Sequence, residues 1–487
     1  MNKYNQIFNE VLEEISPTEK EIILIEEIVN LVKDLLNKES DKLDVLIKDI
    51  EPQGSTGIKQ TQLRNDYDID IFIGIDWNHY KEKLKGFSKK KTKKRIKVDF
   101  KRLCQKWIIP SLQVENFQDP RLLYAEHPYV QVDYTRNDII IQIDIVLYFD
   151  LELDYIRENG PITAVDRSPW HGRFINNNLT NEQKDDVRIL KQFFKAQHSY
   201  GDKSPIGKIG FIGYSAELLI YHFHNLLGVF QNFESLPNKP VDFFKRRTQE
   251  LRKIPHFKDD HLLIIDPVDK YRNVASAIDK RAYKYCKKRI QEFLKDPQNS
   301  FFHIRKIPQF DETVEDKLLE KIYILELTKV KEDVHYTEIR DKLYSLGNDI
   351  KAHAEKEISK IERFGVILFE LYFNEKEGEY NLVFYCENPN ISKTYLRRGP
   401  RVDNKKHAEK FKKKNPNYII KKQRLWVEEE RDFQKFSKFL EHFLKDKIPE
   451  SLNLINFSKA LESKTFSGKQ AVYLLKEMIL PLYLNNT

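Results

Sequence analysis

The sequence predicts an α+β fold spread over several domains, and three observations predict it. The chain has 487 residues, long for one domain and suited to roughly two to four. The period of its apolar residues changes along the chain, from the alternation of strands to the three- and four-residue spacing of helices and back. Hydrophobic residues make up 40% and charged residues 32%, enough to bury a core and an argument against global disorder. Glycine and proline number 16 and 19, too sparse for a collagen-like or linker-dominated chain.

The elements follow in order. Residues 16–36 read as a helix, with Ser16 as N-cap, Pro17 in the first turn and Glu19 completing a capping box. Ile23, Ile25, Ile28, Val29, Val32 and Leu36 then recur at helical spacing. Strand patterns run over about 67–75 and 128–150. Residues 182–198 read as a helix, Thr180 and Gln183 offering a second capping box, and 214–230 and 270–295 continue the helical pattern. In the last third, a helix-like stretch (336–362) leads into two strand patterns, FGVILFELYF (364–373) and EYNLVFYCE (379–387), around an acidic turn. Helical patterns return at 432–445 and 469–482. This order implies an α/β N-terminal part, a helical middle and an α+β C-terminal part.

Three cysteines, Cys104, Cys286 and Cys386, stand far apart. They cannot build a four-cysteine zinc site or a disulfide framework, so a reducing cytoplasm is the expectation. No stretch approaches the roughly 20 apolar residues of a membrane helix. The opening MNKYNQIFNEVLEEI lacks the basic start and apolar centre of a signal peptide. The net charge is +8. Residues 85–102 and 405–424 carry +17 between them, and the rest of the chain sums to −9. Charge so concentrated suits a protein that holds a polyanion with part of its surface. Solvated lysine-rich loops are the plain alternative.

The chemistry is concentrated in GSTGIKQTQLRNDYDIDIFI (54–73). On a strand, Asp68, Asp70 and Phe72 point one way, and Ile69, Ile71 and Ile73 point into a core. Two carboxylates on one strand face can share divalent cations through hard oxygens. Gly54 lets the backbone approach a phosphate, and Ser55 offers an N–H and a hydroxyl. In DIIIQIDIVLY (138–148), Asp144 stands opposite a wholly aliphatic face. An acid there is costly to bury unless paired or metal-bound. Three carboxylates can position two magnesium ions, one to activate an attacking hydroxyl and one to stabilise leaving pyrophosphate. Taken singly, a DxD or a Gly-Ser is common on ordinary surfaces; the ordered set is specific. Other motifs fail: 201–208 lacks P-loop spacing, and neither GxSxG nor HExxH occurs.

That ordered set resembles the nucleotidyltransferase superfamily that includes polymerase beta and poly(A) polymerases. YAEHPYVQ (124–131), AVDRSPWHGRFI (164–175), VRILKQFFKAQHSYG (187–201), GFIGYSAELL (210–219), IDPVDKYRNVASA (265–277) and YLRRGPRVDNKKHAEKF (395–411) follow in order. The series is similar to the archaeal, class I CCA-adding enzymes, which are tRNA nucleotidyltransferases. The resemblance implies a polymerase-beta-like palm with a mixed sheet over 1–160, a helical central domain over 161–275 and an α+β tRNA-binding body and tail over 276–487. It implies template-independent transfer of CMP, CMP and AMP from CTP and ATP to the tRNA 3′ end, with release of pyrophosphate. Asp68, Asp70 and Asp144 would be the catalytic metal ligands for two Mg2+. Gly54, Ser55, Lys59, His171, Lys191 and Tyr200 would hold the triphosphate, and Arg272 would serve base selection. The acceptor and T arms of tRNA, a cytoplasmic setting and a homodimer complete what it implies.

The residues leave alternatives open. Arg188, Lys191 and Lys195 lie along one face of the 182–198 helix, which reads as a triphosphate-facing stripe or as a solvated face. His171 suits a phosphate ligand or a structural hydrogen-bond partner, and Arg272 a base-reading fork or an ion pair with Asp266 or Asp269. His127 has no assigned role. The family pattern Gly-Ser-x-Ala-Arg/Lys-Gly-Thr is lengthened here by one residue before Thr61, and Lys59 is the nearest basic equivalent. The lysine-rich 76–110 segment is either an extra tRNA contact or a disordered excursion. The rival functions are an ATP-specific poly(A) polymerase or oligoadenylate synthase, and a catalytically inactive tRNA-binding protein.

Overall fold

A computed structural model describes residues 3–124, 127–136, 139–311, 313, 316–331, 334–357 and 360–484. Residues 125–126 of the YAEHPYVQ segment, Asp138 ahead of the Asp144 strand and 358–359 of the 336–362 stretch lie outside them. Two compact units are present. One comprises residues 1–201, 211–278 and 286–303, the other residues 202–210, 279–285 and 304–487.

The first unit opens with helices α1 (Lys3–Ile15) and α2 (Glu19–Ser40). The cap of α2 is Thr18, not Ser16. Thr18 Oγ1 accepts from Glu21 N at 3.3 Å, and the Glu21 carboxylate accepts from Thr18 N at 2.6 Å. Ser16 instead ends α1, its N–H donating to Leu12 O at 2.9 Å. Two overlapping capping boxes compete here. The Thr18–Glu21 box wins because Glu21 also accepts from Asn65 N at 2.7 Å, tying the helix start to a distant loop.

The sheet runs β1 (Ile47–Gln53), β2 (Ile69–Asp76), β5 (Ile139–Asp150), β4 (Pro128–Arg136), β3 (Phe117–Tyr124). Only β2 and β5 pair in parallel; the other neighbours are antiparallel. The strand pattern over 128–150 is therefore two strands. One face is aliphatic: Ile69, Ile71 and Ile73 of β2 and Ile141, Ile143 and Ile145 of β5 are all buried. Ile28, Val32 and Leu36 of α2 and Ile96, Phe100 and Leu103 of α3 (Lys89–Leu103) join them in one core. The lysine-rich segment is thus an ordered amphipathic helix, and the other face of the sheet is left for chemistry.

Helices α4 (Ser168–Asn178), α5 (Asn181–Ala196), α6 (Gly213–Phe223) and α7 (Leu226–Asn232) complete the middle of the chain. Thr180 caps α5 with Gln183, as the sequence predicts. The 214–230 pattern breaks at His224, whose φ of +70° ends α6. The 270–295 pattern becomes helical only at α8 (Lys280–Lys295). The residues before it are held in turns by Asn273, whose Oδ1 accepts from Ile264 N at 2.9 Å and Ala275 N at 3.0 Å.

The second unit holds an antiparallel sheet ordered β12 (Leu452–Lys459), β6 (Ile322–Lys329), β8 (Glu379–Cys386), β7 (Ile367–Asn374). Ile339, Leu343 and Ile350 of α9 (Tyr336–Glu355) share its core with Phe369 and Phe384. The acidic turn between β7 and β8 closes on Gly378, φ +65°. A smaller sheet, β10 (Ile419–Lys421), β11 (Arg424–Glu430), β9 (Thr394–Arg401), carries the basic α10 (Lys405–Lys414). Helices α11 (Phe436–Leu444) and α12 (Phe466–Tyr473) follow.

Candidate active site

Parallel pairing of β2 with β5 sets Asp70 directly beside Asp144. Both lie on the face opposite the isoleucines. Asp68 lies just ahead of β2 and is exposed, its carbonyl accepting from Thr56 Oγ1 at 2.7 Å. Asp144 Oδ1 accepts from Gln131 Nε2 at 2.8 Å, and Arg121 grips Gln131 Oε1 at 2.6 Å from the next strand. Burial, then the charges of Asp144 and Asp68, push the Asp70 carboxyl up to about 7. Burial also raises Asp144, against the Gln131 hydrogen bond and with a push from Asp68. The three acids therefore feel one another as like charges.

The turn after β1 supplies the glycine corner. Gly54 has φ +71°, and a Cβ there would lie 2.3 Å from Asp70 Oδ2. Thr61 N donates to Ser55 O at 3.0 Å and closes the loop. Gln60, just before Thr61, sits in the left-handed region at φ +54°. Gly54→Ala should lower stability by about 1–3 kcal/mol through backbone strain alone and displace Asp70. A melting curve beside a transfer assay checks it: an alanine variant with parental stability and rate would remove the corner from the site.

Behind the loop, Glu217 of α6 is the hub of a buried cluster, 1% exposed. It accepts from Lys59 Nζ at 2.8 Å and Thr61 Oγ1 at 2.9 Å, and Lys191 Nζ lies 3.7 Å away. Lys191 also donates to Thr61 O and Oγ1, both at 3.0 Å. Burial would raise Glu217, but Lys59, Lys191 and Thr61 overturn it and hold the carboxyl low. Burial depresses Lys191 to about 8, with Glu217 opposing. A Cβ on Gly213 would meet Lys191 Cε at 3.2 Å and the Tyr200 hydroxyl at 3.3 Å, so Lys191 and Tyr200 converge on one point. Burial, reinforced by Glu217, raises the Tyr200 phenol and keeps it a neutral donor.

A second buried acid, Asp266, organises the remainder. It accepts from Arg272 Nη1 at 2.9 Å and the Tyr214 hydroxyl at 3.0 Å, and His171 Nε2 lies 2.7 Å from it. The His171 ring stacks on Tyr214 at 4.3 Å, and Lys59 Nζ lies 4.8 Å over the same tyrosine ring. Burial lowers His171 despite Asp266. Burial would raise Asp266, but His171 and Arg272 hold it far below the usual carboxylate range. The Asp266 alternative for Arg272 is thus realised, while Asp269 pairs with Arg167 at 2.8 Å. The Arg272 side chain keeps 31% exposure.

The solvated-face alternative for α5 fails. Arg188 donates to the carbonyls of Gln60 and Gln62, Lys191 is buried, and Lys195 Nζ sits 5.5 Å over the Tyr200 ring. Sequence reasoning missed Glu217, Tyr214, Thr61 and Gln131, and treated Asp266 only as an ion-pair partner. An acid inside the apolar run GYSAELL was the available signal for Glu217. Among the described residues, no three His, Cys, Asp or Glu side chains close into a ready metal cage. The donors still suit magnesium: they are hard carboxylate oxygens, and the repulsion that raises Asp70 is what a dication would relieve.

A family model described as tRNA nucleotidyltransferase, second domain, matches residues 185–303, and one described as CCA-adding enzyme, C-terminal domain, matches 339–448. A CCA-adding enzyme of Saccharolobus islandicus strain Y.N.15.51 is 29% identical over 431 residues, spanning 87% of this chain and 86% of its own. One from Methanococcus maripaludis strain C5 is 29% identical over 444 residues, spanning 86% and 87%. One from Saccharolobus solfataricus is 28% identical over 431 residues, spanning 87% and 86%. With two domain models in order and relatives matched along more than four-fifths of its length, the chain is similar to the archaeal-type CCA-adding enzymes and is a nucleotidyltransferase.

Proposed function

We propose that this chain adds CMP, CMP and AMP, from CTP and ATP, to the 3′ end of tRNA without a template. One observation carries the reading: Asp70 and Asp144 stand side by side in parallel register, with the Gly54 backbone against Asp70. Asp68, Asp70 and Asp144 would hold two Mg2+, which would supply an activated terminal hydroxyl and a stabilised pyrophosphate leaving group. Asp144, fixed by Gln131, would assist removal of the hydroxyl proton. Gly54 and Ser55 would offer backbone N–H groups to the triphosphate, and Lys59, Lys191 and Tyr200 would neutralise and orient it. His171 would act on the phosphates through its place beside Asp266 and Arg272, and Arg272 would offer its exposed edge to the base.

Partners and setting belong to the same proposal. Double-stranded RNA presents little readable sequence, so the acceptor and T arms would be held by charge and shape. Helix α10, with Lys405, Lys406, Lys410 and Lys412–Lys414, is the candidate for the far end of that arm. No helix among the described residues is long and apolar enough to cross a membrane, and Cys104, Cys286 and Cys386 are free and buried; the cytoplasm suits both. Sedimentation would check the homodimer.

The deciding experiment is single-turnover incubation of the full chain with tRNA lacking CCA, with CTP and ATP separately and together. The expected result is two C additions with CTP alone and a terminal A only when both are present. Incorporation of A without C would move the chain to the ATP-specific polymerases, and no incorporation would leave an RNA-binding protein.

A further inference from the structure

Helix α3 has two differently occupied sides. Ile96, Phe100 and Leu103 are consumed by the aliphatic face of the β1–β5 sheet. On the outside, Lys90, Lys94, Lys97 and Lys101 follow one another at spacings of four, three and four residues. That spacing makes a single axial stripe, about 16 Å long at the helical rise. All four are exposed. The nearby carboxylates have other partners: Asp99 binds Arg95 at 2.9 Å, and Asp44 binds Arg102 at 2.8 Å and Lys83 at 3.3 Å. Among the described residues, no ion pair holds the four lysines.

An aromatic ring completes the surface. Tyr124 ends β3 and is 51% exposed. Lys97 Nζ lies 5.6 Å, and Lys101 Nζ 6.0 Å, from its ring centre. An exposed ring flanked by ammonium groups can stack a base while the cations hold its phosphates. A lipid surface fits less well. Basic amphipathic helices bind membranes by inserting their apolar face, and here that face is already inside the core.

We propose that the Lys90–Lys101 stripe and Tyr124 form a second RNA-contacting surface, on the side of the sheet away from the three carboxylates. It rests on the tRNA reading above and adds a contact beyond the acceptor end. Single-stranded or loop nucleotides are its ligand, since stacking on Tyr124 needs an unpaired base. On this proposal full-length tRNA engages both surfaces, whereas a short acceptor hairpin engages only the carboxylates.

The test uses the full chain in three forms: parent, the fourfold variant Lys90→Gln, Lys94→Gln, Lys97→Gln and Lys101→Gln, and Tyr124→Ala alone. Fluorescence anisotropy would follow binding of tRNA lacking CCA between 50 and 200 mM salt, roughly the range over which phosphate contacts dominate. Loss of four single-strand contacts should make the slope of log affinity against log salt shallower by about 3. Tyr124→Ala should weaken tRNA binding at least about fivefold. CTP incorporation into a minimal acceptor hairpin should match the parent in both variants. An unchanged slope, parental affinity in Tyr124→Ala, or an equal loss on the hairpin would overturn the proposal. So would an unchanged tRNA slope with loss of binding to vesicles containing anionic phospholipid, which would assign the stripe to membranes. Failure of the parent itself to extend tRNA would sink the functional reading and leave the binding comparison intact.

Discussion

Asp70→Asn will stop nucleotide transfer and, with divalent cations chelated, make the folded chain more stable at pH 8. Both effects come from one crowded charge. The Asp70 carboxyl is pushed up to about 7 in the folded chain, against 3.8 ordinarily, because it is half-buried beside Asp144 and Asp68. Its contribution is therefore unpenalised below about pH 4, where it is protonated folded and unfolded alike. Stability is lost as pH rises from there through about 7. At pH 8 the gap of about three units bounds the penalty near 4 kcal/mol, and relaxation leaves about 1–3 kcal/mol. Asparagine removes the charge and keeps the shape. The variant should melt several degrees higher than the parent at pH 8 in chelator, and at the same temperature near pH 4. Magnesium should then raise the parent's melting point and leave the variant's where it was. Transfer should fall at least about 10³-fold, the several kcal/mol that charge stabilisation by a bound metal supplies. A variant less stable than the parent at pH 8, or one that magnesium stabilises equally, would show that Asp70 is an ordinary structural acid.

Asp70 and Asp144 were legible because a strand's two-residue period fixes which side chains share a face. An acid in an aliphatic run announces a partner. Their residue-for-residue register was not legible, since it depends on how two strands separated by the lysine helix and a hairpin pair. The Thr180–Gln183 cap was readable from four residues, whereas Thr18 displaced Ser16 through a bond from Asn65, far along the chain. Lys191 and His171 illustrate the same limit. Each residue type was visible, but Glu217 and Asp266, the buried acids that decide what each can do, come from other segments. Arg188 was misread as part of a basic face because its acceptors are backbone carbonyls of the glycine loop, which no side-chain pattern displays. The extra loop residue appeared as a departure from the family spacing, whereas the left-handed conformation of Gln60 is a backbone property that the spacing does not display.

Glu217→Gln should raise the nucleotide KM about 10- to 100-fold at pH 8, with much of the loss recovered near pH 6.5. Lys191 is depressed to about 8 by burial, and Glu217 is the chief group holding it up. Around Lys191 stand Lys59 and Lys195, which push its proton off, Asp66 and Glu217, which keep it, and the neutral Thr61 and Tyr200. In the parent, about half of Lys191 is charged at pH 8. Glutamine preserves the contact with Thr61 but removes the carboxylate, so the Lys191 pKa falls further and the lysine is neutral at pH 8. A neutral amine forfeits a charge-assisted bond to phosphate, about 1.5–3 kcal/mol, which is the stated change in KM. Lower pH returns the proton, so the gap between variant and parent must narrow as pH falls. A purely structural role for Glu217 predicts something else: a lower melting point, a loss of active fraction seen in kcat, and no dependence of the KM ratio on pH. Nucleotide KM and kcat measured from pH 6 to 9 therefore separate the two, and a flat KM ratio would take Glu217 and Lys191 out of triphosphate binding.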